Sequence, residues 1–325
     1  MWRYIVKRLF ALVIVLLCVA VIIFCVLWFM PGDPAEIILG MSVPEADREA
    51  LRVQMGLKDP FLVQLGRYMR DTFLRLDFGE SYQYKVPVAQ GFMERLPRTL
   101  KLGLISIFIQ TVLGIPLGVS AAIHRNTLQD QGLLVGAMVF ISVPQFWFAL
   151  MMVVLFSVKL NWLPPFGIGT WQHWVLPIIA NSISGIAMNA RQTRSAVLET
   201  IRSDFVTTAR AKGLPEGKVI YKHMLPNALI PVINGLGMQL GMCVGGTVVI
   251  ESVFSFPGIG NYMLTGINGL DYPVVRGCVL ILAAVSAVMT LVVDLVYAFL
   301  DPRIKAQYVN YAAKKSVKKG AKKAA

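Results

Sequence analysis

The stretch LFALVIVLLCVAVIIFCVLWFM, residues Leu9–Met30, decides the fold class of this chain. It contains 22 residues and no charged side chain, whereas about 20 apolar residues are enough for an α-helix to cross the hydrocarbon core of a bilayer. The apolar run is too long for a secretory signal peptide, and no small-residue cleavage site follows it. The stretch therefore predicts a membrane-spanning helix.

Three further stretches have no Asp, Glu, Lys or Arg: Leu102–Ile123, Gly132–Val158 and Ala228–Ile250. Two weaker candidates are Trp174–Ala190, which is polar for a span, and Gly277–Leu300, which carries one acid, Asp294. Pro144 in the longest run predicts a kinked helix. Charged residues make up 15% of the chain, against about 25% in soluble domains. Because no alternation typical of β-barrel strands is visible, we expect an all-α polytopic membrane protein with six spans.

Basic residues are distributed unevenly over the segments that flank these spans. Nineteen of the 31 Lys and Arg lie in the N-terminal segment, the 124–131 and 191–227 loops and the 301–325 tail, which six spans place on one side. The short loops of the opposite side offer only Lys159 and Arg276. Since Lys and Arg favour the cytoplasmic side, we predict a multi-pass protein of the cell membrane with both termini cytoplasmic. The net charge of +13 then follows from topology and requires no nucleic-acid partner.

The chain divides into regions of different composition. Residues 1–30 hold the first span, and residues 31–101, with ten acids and ten bases, predict a small external helical subdomain. Residues 102–300 hold the other five spans and include the cytoplasmic loop 191–227. The basic tail 301–325 lacks apolar periodicity, so we expect it to be solvated, with contact to anionic lipid as the alternative.

No group of residues predicts catalysis, a metal site or a bound cofactor. The four cysteines all lie in predicted spans without a C-x-x-C pair: Cys18, Cys25, Cys243 and Cys278. The three histidines are scattered, and the chain has no Walker-type glycine loop. We therefore expect no enzymatic activity and no ATP hydrolysis on this chain.

The most informative stretch is the basic loop 191–227. Apolar residues recur there at helical spacing, namely Leu198, Ile201, Phe205 and Ala209. Gly213 interrupts this pattern, and Pro215 begins a second short helix that we expect Pro226 to end. The second helix carries an apolar patch made of Val219, Ile220, His223 and Met224. The pattern predicts an amphipathic helix–turn–helix at the membrane surface, and a helix pair that merely packs on lipid headgroups is the alternative.

Short motifs in the loop and elsewhere resemble those of one family. Thr207-Thr208-Ala209-Arg210-Ala211-Lys212-Gly213, followed by Leu225-Pro226-Asn227-Ala228, resembles the cytoplasmic EAA loop of bacterial ABC-importer permeases, with Thr207 and Thr208 in place of the first two letters. Five more stretches match the same group: 30–34 (MPGDP), 77–81 (DFGES), 251–260 (ESVFSFPGIG), 271–273 (DYP) and 294–304. The resemblance covers roughly residues 1–305. It indicates the dipeptide/oligopeptide/nickel importer family, and within it the first permease of the pair.

The resemblance implies a type I ABC importer permease fold and a role in ATP-driven import of di- or oligopeptides, with this chain forming half of the translocation pathway. It also implies partners: a homologous second permease, two ABC ATPase subunits that would hold ATP and Mg²⁺, an extracytoplasmic substrate-binding protein and membrane lipid. The ATPase-coupling residues would be Thr207, Thr208, Ala209, Arg210, Ala211, Lys212, Gly213, Pro215, Val219, Ile220, His223, Met224 and Pro226. In this interpretation the patch of Val219, Ile220 and Met224 contacts the ATPase.

Other functions remain open at this point. One alternative keeps the ABC importer and changes its cargo to nickel or a metal chelate, glutathione, a sugar or another small solute. A stand-alone secondary transporter would favour charged coupling residues at mid-membrane, and the predicted spans have almost none. An intramembrane enzyme would need a nucleophile with a base, or a metal cluster.

Six polar residues in or near the spans are further candidates. Four amides either line a polar path or form interhelical hydrogen bonds: Asn181, Asn189, Asn234 and Gln239. Glu251 lies at an outer helix end, where we expect a hydrated carboxylate with either a gating role or a structural capping role. Asp294 is an intramembrane acid, for which we favour an ion pair with a neighbouring helix.

The predicted topology is tested by cysteine labelling in intact cells. In a cysteine-free background, Gly217→Cys should resist a membrane-impermeant maleimide until the membrane is opened, because the loop 191–227 is expected to be cytoplasmic. A cysteine placed within residues 31–101 should react from outside. Labelling of residue 217 in sealed cells would contradict the predicted orientation.

Overall fold

The computed structural model describes residues 2–40 and 42–300 of the chain. Helices form all of the regular secondary structure in these residues, apart from an isolated bridge between Glu80 and Pro87. The all-α prediction is therefore confirmed. The predictions for the tail 301–325 lie outside the described residues.

Helix α1 (Trp2–Trp28) covers the first predicted span, and three short helices follow it: α2 (Pro34–Leu39), α3 (Glu45–Gln54) and α4 (Phe61–Leu74). Aromatic contacts join this subdomain to α1, since the Phe24 ring lies 5.5 Å from Phe61 and 5.7 Å from Tyr68, centroid to centroid. An ordered helical subdomain is thus present after the first span, as the sequence predicts.

The next four helices are α5 (Val88–Ile123), α6 (Leu128–Ser142), α7 (Gln145–Met152), which continues as a π-helix to Lys159, and α8 (Gln172–Thr200). Helix α5 begins 14 residues before the predicted start at Leu102, so the subdomain ends at Pro87 rather than at residue 101. The chain bends by 98° between α6 and α7. Because Val143 and Pro144 stand at this break, the predicted kink is confirmed, and it is sharp enough to divide the span.

The remaining helices are α9 (Asp204–Ala211), α10 (Glu216–Lys218), α11 (Leu225–Met242), α12 (Val248–Val253), α13 (Ile259–Asn268) and α14 (Tyr272–Leu300). The single span expected over Ala228–Ile250 is wrong, because α11 ends at Met242 and α12 begins at Val248. Two consecutive glycines, Gly245 and Gly246, lie in the turn between them, and glycine weakens a helix interior.

Three helices of the described chain are long and apolar enough to cross a membrane: α1, α5 and α14. The bent pair of α6 and α7 makes a fourth if it is taken as one span. The predicted spans over α8 and α11 are helical but more polar, so the count of six stays a prediction for these two.

Helix α5 packs along α8 in the most extensive helix–helix contact of the described residues. Two glycines one helical turn apart, Gly114 and Gly118, face α8 at the crossing. A Cβ atom on Gly114 would lie 2.7 Å from Asn189 Cβ, and one on Gly118 would collide with the backbone of Ala190. Small residues at this spacing let two helix backbones approach closely within a membrane. The crossing fixes α8 against α5 and so positions the loop that follows α8.

Candidate functional site

The loop after α8 forms a compact helical hairpin. Gly213, between α9 and α10, has a φ of +74°, a left-handed conformation that glycine adopts without strain. Arg210 donates hydrogen bonds across this turn to Glu216, with Nη2 and Oε1 2.5 Å apart. This bond lowers the pKa of the exposed Glu216 carboxyl. The predicted turn at Gly213 is confirmed.

The apolar face expected from Leu198 to Ala209 is confirmed in part, since Leu198, Ile201 and Ala209 join one apolar cluster. No single helix carries it, because α8 ends at Thr200 and α9 begins at Asp204. Phe205 is exposed, and Val206 points inward in its place together with Ala209. The break between the helices therefore changes the inward-facing residue at one position of the pattern.

The apolar patch of the second helix also lies differently from the expectation. Val219 and Met224 are fully buried and Ile220 is 8% exposed. They pack against Val119 on α5 and Val197 on α8. A patch that is already covered by the chain's own helices is not available to an ATPase subunit, so its assignment as the docking contact is wrong. These side chains instead anchor the hairpin to α5 and α8.

The helix does not end at Pro226, contrary to the prediction. Residues Val219–Met224 form a π-helix that continues directly into α11, and Pro226 lies in the first turn of α11. A π-helical turn widens the backbone where proline would clash with a preceding carbonyl group. The hairpin is therefore continuous with α11, and a displacement of the hairpin acts directly on that helix.

The exposed surface of the hairpin is mostly polar and basic. Its exposed members are Asp204, Phe205, Thr207, Thr208, Arg210, Ala211, Lys212, Gly213, Pro215, Glu216, Gly217, Lys218, Tyr221 and Lys222. Tyr221 is 65% exposed, and His223 is half-buried. We call this set the loop ridge. It is the part of the hairpin that another protein can reach.

A buried ion pair supports the hairpin from the side of α6. Asp130, at the start of α6, is 1% exposed and accepts two hydrogen bonds from the Arg194 guanidinium of α8, one of them with Nη2 and Oδ2 2.7 Å apart. Removing one partner of such a pair costs about 3–5 kcal/mol. Sequence reasoning missed this pair, although Asp130 is a rare acid among the basic flanks of the spans.

Three of the four candidate amides make interhelical hydrogen bonds. Gln239 donates to Asn189 at 2.8 Å, and Gln145 donates to the Asn181 side chain at 3.0 Å. Asn234 is exposed on α11. For Asn181, Asn189 and Gln239 the structure thus has the hydrogen-bond alternative in place, and a role in the translocation path stays a prediction.

Glu251 is fully buried, so the expectation of a hydrated carboxylate is wrong. One oxygen accepts hydrogen bonds from the hydroxyls of Thr99 at 2.7 Å and Thr247 at 3.0 Å. The other accepts from the backbone N–H of Gly260 at 2.7 Å and, more weakly, of Asn261 at 3.3 Å. These two N–H groups open α13, where helix N–H groups lack partners within the helix. Glu251 therefore caps α13 and ties it to α5 and α12.

Asp294 has the expected interhelical partner. Its Oδ2 lies 3.0 Å from Arg8 Nη2 on α1, so α1 and α14 are joined by an ion pair as well as by apolar packing. The ion pair with a neighbouring helix that we favour for Asp294 is thus present.

Two of the motifs quoted from the sequence meet in space. Ser81 donates a hydrogen bond to the buried carboxylate of Asp271 at 2.6 Å, and the backbone N–H of Gln83 donates to the same oxygen at 3.2 Å. These contacts link the segment before α5 to the start of α14. Sequence reasoning noted both motifs, but no local signal indicated that residues 190 positions apart would meet.

In the described ranges 2–40 and 42–300 no three His, Cys, Asp or Glu side chains cluster as a metal site would require.

Comparison with known families agrees with this architecture. The family described as "Binding-protein-dependent transport system inner membrane component" matches residues 114–306, and its N-terminal companion matches residues 1–103. The chain belongs to this family of transport-system permeases. The match over residues 114–306 includes the bent α6–α7 pair and the hairpin, and the companion match includes the subdomain after α1.

Curated relatives cover nearly the whole permease. The glutathione transport system permease protein GsiC of Salmonella paratyphi A is 38% identical over 94% of this chain and 99% of its own length. The dipeptide transport system permease protein DppB of Alkalihalophilus pseudofirmus is 36% identical over 94% of this chain and all of its own length. GsiC of Escherichia coli K12 is 37% identical with the same coverage as the Salmonella protein.

Solved structures show the same fold at lower identity. An inward-facing structure of the MetNI methionine ABC transporter has a chain that covers 65% of this permease and 97% of itself, with a TM-score of 0.56 and 20% identity. A chain of an amino acid ABC transporter covers 66% of this permease, with a TM-score of 0.51 and 17% identity. The type I importer permease fold is thus confirmed.

The capping role of Glu251 predicts different outcomes for two substitutions. Glu251→Ala should lower the melting temperature and membrane abundance, because the buried N–H group of Gly260 and the hydroxyl of Thr99 lose the acceptor to which they donate, at about 1–3 kcal/mol for each unsatisfied group. Glu251→Gln should be close to wild type, since its oxygen can accept from Gly260 while its NH₂ donates to the threonine hydroxyls. A Glu251→Ala protein with normal stability but lost uptake would contradict the cap and favour the gating alternative.

Proposed function

We propose that this permease is the membrane subunit of an ATP-driven importer of di- or oligopeptides and forms half of its translocation pathway. The observation that carries the proposal is the match of 36–38% identity over 94% of the chain to permeases named for dipeptide and glutathione transport. Glutathione is itself a short peptide, so both names indicate the same class of solute. Glutathione as the principal cargo is the second candidate, favoured by the GsiC relatives.

The remaining subunits would supply what this chain lacks. A homologous second permease would complete the pathway, two ABC ATPase subunits would hold ATP and Mg²⁺, and an extracytoplasmic binding protein would select the solute. This chain would have no enzymatic activity of its own. In the orientation given by the basic flanks, the hairpin and both termini are cytoplasmic and the 31–87 subdomain is external.

The hairpin would couple ATP hydrolysis to transport through its two faces. The loop ridge offers basic and aromatic side chains to an ATPase groove, and docking of a short helix into a groove is a common mode of recognition. Val219 and Met224 on the opposite face are packed against α5 and α8. A push on the ridge would therefore reach both helices, because a close-packed interior transmits displacement.

Gly213→Val tests this coupling role. A Cβ atom at Gly213 would meet no atom within 4 Å, so the substitution removes no contact and acts through the left-handed backbone, at about 1–3 kcal/mol. Since 1.4 kcal/mol changes an equilibrium tenfold, receptor-stimulated ATPase activity and uptake in the assembled transporter should fall about 5- to 100-fold while membrane abundance stays normal.

Two matched variants serve as controls. Gly66 on α4 also has open space around it and no positive φ, and it lies outside the loop ridge, so Gly66→Val should leave coupling intact. Gly213→Asn should restore most of the activity, because asparagine tolerates left-handed angles. Wild-type uptake in Gly213→Val at normal abundance would mean that this hairpin is not the coupling element.

The cargo is tested with the reconstituted transporter. The permease, its second permease, the ATPases and the cognate binding protein are placed in liposomes with ATP inside, and uptake of a labelled dipeptide, labelled glutathione and ⁶³Ni²⁺ is compared. We expect ATP-dependent uptake of peptide. Uptake of nickel alone, or uptake by this chain alone in an ion gradient, would contradict the proposal in favour of a metal importer or a secondary transporter respectively.

A further inference from the structure

A cavity of about 450 Å³ lies between the subdomain, the end of α1 and the start of α14. One wall is apolar and comes from α1, through Phe24, Leu27 and Trp28. The polar part of the lining includes Arg276 of α14 and the hydroxyl end of Tyr68, whose ring packs on Phe24. The cavity is thus divided between an apolar half and a charged half, which is the division found in an amphiphile.

Arg276 is the cation of this cavity that has no ion-pair partner among residues 2–40 and 42–300. The other basic side chains of the lining are paired: Arg52 with Asp33, Lys58 with Glu49 and Arg67 with Asp59. The guanidinium carbon of Arg276 lies 4.9 Å from the centre of the Tyr68 ring. Its Nε is buried without a hydrogen-bond partner, so a donor is left over for a ligand.

The charge of the lining selects an anion. Of the four basic side chains in the lining, Arg52, Lys58 and Arg67 are paired with carboxylates, so Arg276 is the cation that is left for an anion. The buried hydroxyls of Tyr68 and Thr72 have no partner beyond each other, and they add hydrogen-bonding capacity next to Arg276. A monoanion whose oxygen atoms accept hydrogen bonds would satisfy these groups.

The surroundings of the apolar half indicate a lipid. On the face of α1 that is turned away from Phe24, Ile22 is 62% and Val26 is 56% exposed, and Phe29, directly after α1, is 81% exposed. In a helix long and apolar enough to span a membrane, such a surface faces acyl chains. Trp28 stands at the end of this helix, where aromatic residues mark the membrane–water interface. Because Trp28 lines the cavity and is itself 39% exposed, the cavity lies at headgroup depth and is reached from the lipid-facing surface past this side chain.

We propose that this cavity binds one anionic phospholipid, with its phosphodiester on Arg276 and one acyl chain along Phe24 and Leu27. The lipid would come from the leaflet next to the subdomain, which is the outer leaflet in the orientation proposed above. It would join the subdomain to α1 and α14. The lipid site requires only that the chain is inserted in a membrane and does not require peptide as the cargo. A failure of the lipid proposal would therefore leave the proposed import function unchanged, and the reverse also holds.

The test measures retention of phosphatidylglycerol by the assembled transporter in detergent, using native mass spectrometry during a lipid titration. Wild type should retain one phosphatidylglycerol per copy of this chain in preference to phosphatidylcholine. Arg276→Gln should weaken this retention at least tenfold, since hydrogen bonds to charged groups are strong, and Arg276→Lys should lie between the two. Lys85→Gln is the matched control, because it removes an exposed positive charge that lies before α5 and outside the cavity.

Four results would overturn the proposal. The first is that wild type shows no saturable binding of phosphatidylglycerol, a result that does not depend on whether the variants fold. The second is unchanged retention by an Arg276→Gln transporter that assembles normally. The third is complete displacement of the lipid by 10 mM inorganic phosphate, which would identify a site for soluble anions. Equal retention of phosphatidylcholine would overturn the selection for a net negative headgroup.

Discussion

The close crossing of α5 and α8 at Gly114 and Gly118 is the constraint on which the rest of the structure depends. Because neither glycine has a side chain, the two backbones touch, and within a membrane such packing supplies much of the helix–helix attraction. The crossing brings Asn189 of α8 within reach of Gln239 on α11. It also places Val197 beside Val119, which creates the surface on which the hairpin is anchored.

Buried carboxylates fasten the helix junctions around this crossing. Asp130 joins α6 to α8, Asp271 joins the segment before α5 to α14, and Glu251 joins α12 and α13 to α5. Each of them has several hydrogen-bond donors, as burial of a charged group requires. They lie at helix ends, where backbone N–H groups and polar side chains are available. The middles of the helices pack mainly through apolar and small residues. Such contacts allow one helix to slide along another more easily than a hydrogen-bonded carboxylate does.

This distribution suits a permease that must move without unfolding. The hairpin is a small rigid unit, since the Arg210–Glu216 pair closes its turn and Val219 and Met224 hold its inner face. It continues through a π-helix into α11 without an intervening loop. A force on the loop ridge would therefore be passed to α11 and to the α5–α8 pair at once. The 98° bend between α6 and α7 divides another helix into two segments that can shift separately.

The sequence by itself determined the membrane class, the family, the kink at Pro144 and the turn at Gly213. The family came from the resemblance of short motifs, and the other three depend on a local property: an uncharged run long enough for a bilayer, or one residue with restricted or unusually free backbone angles. It also placed the hairpin between the correct helices. Local reasoning was weaker at helix ends, because α5 begins well before Leu102 and the helix expected through Ile250 ends at Met242.

Only the tertiary structure decided which neighbours cover each surface. An apolar patch such as Val219 and Met224 has the same sequence pattern whether it packs on its own chain or on another protein, and here it packs on α5 and α8. Burial of Glu251 depended on donors from Thr99, 152 positions away, and the Asp130–Arg194 pair spans 64 positions. Such contacts arise from the α5–α8 crossing, whose geometry is set by packing over the whole bundle and leaves no periodic signal along the chain.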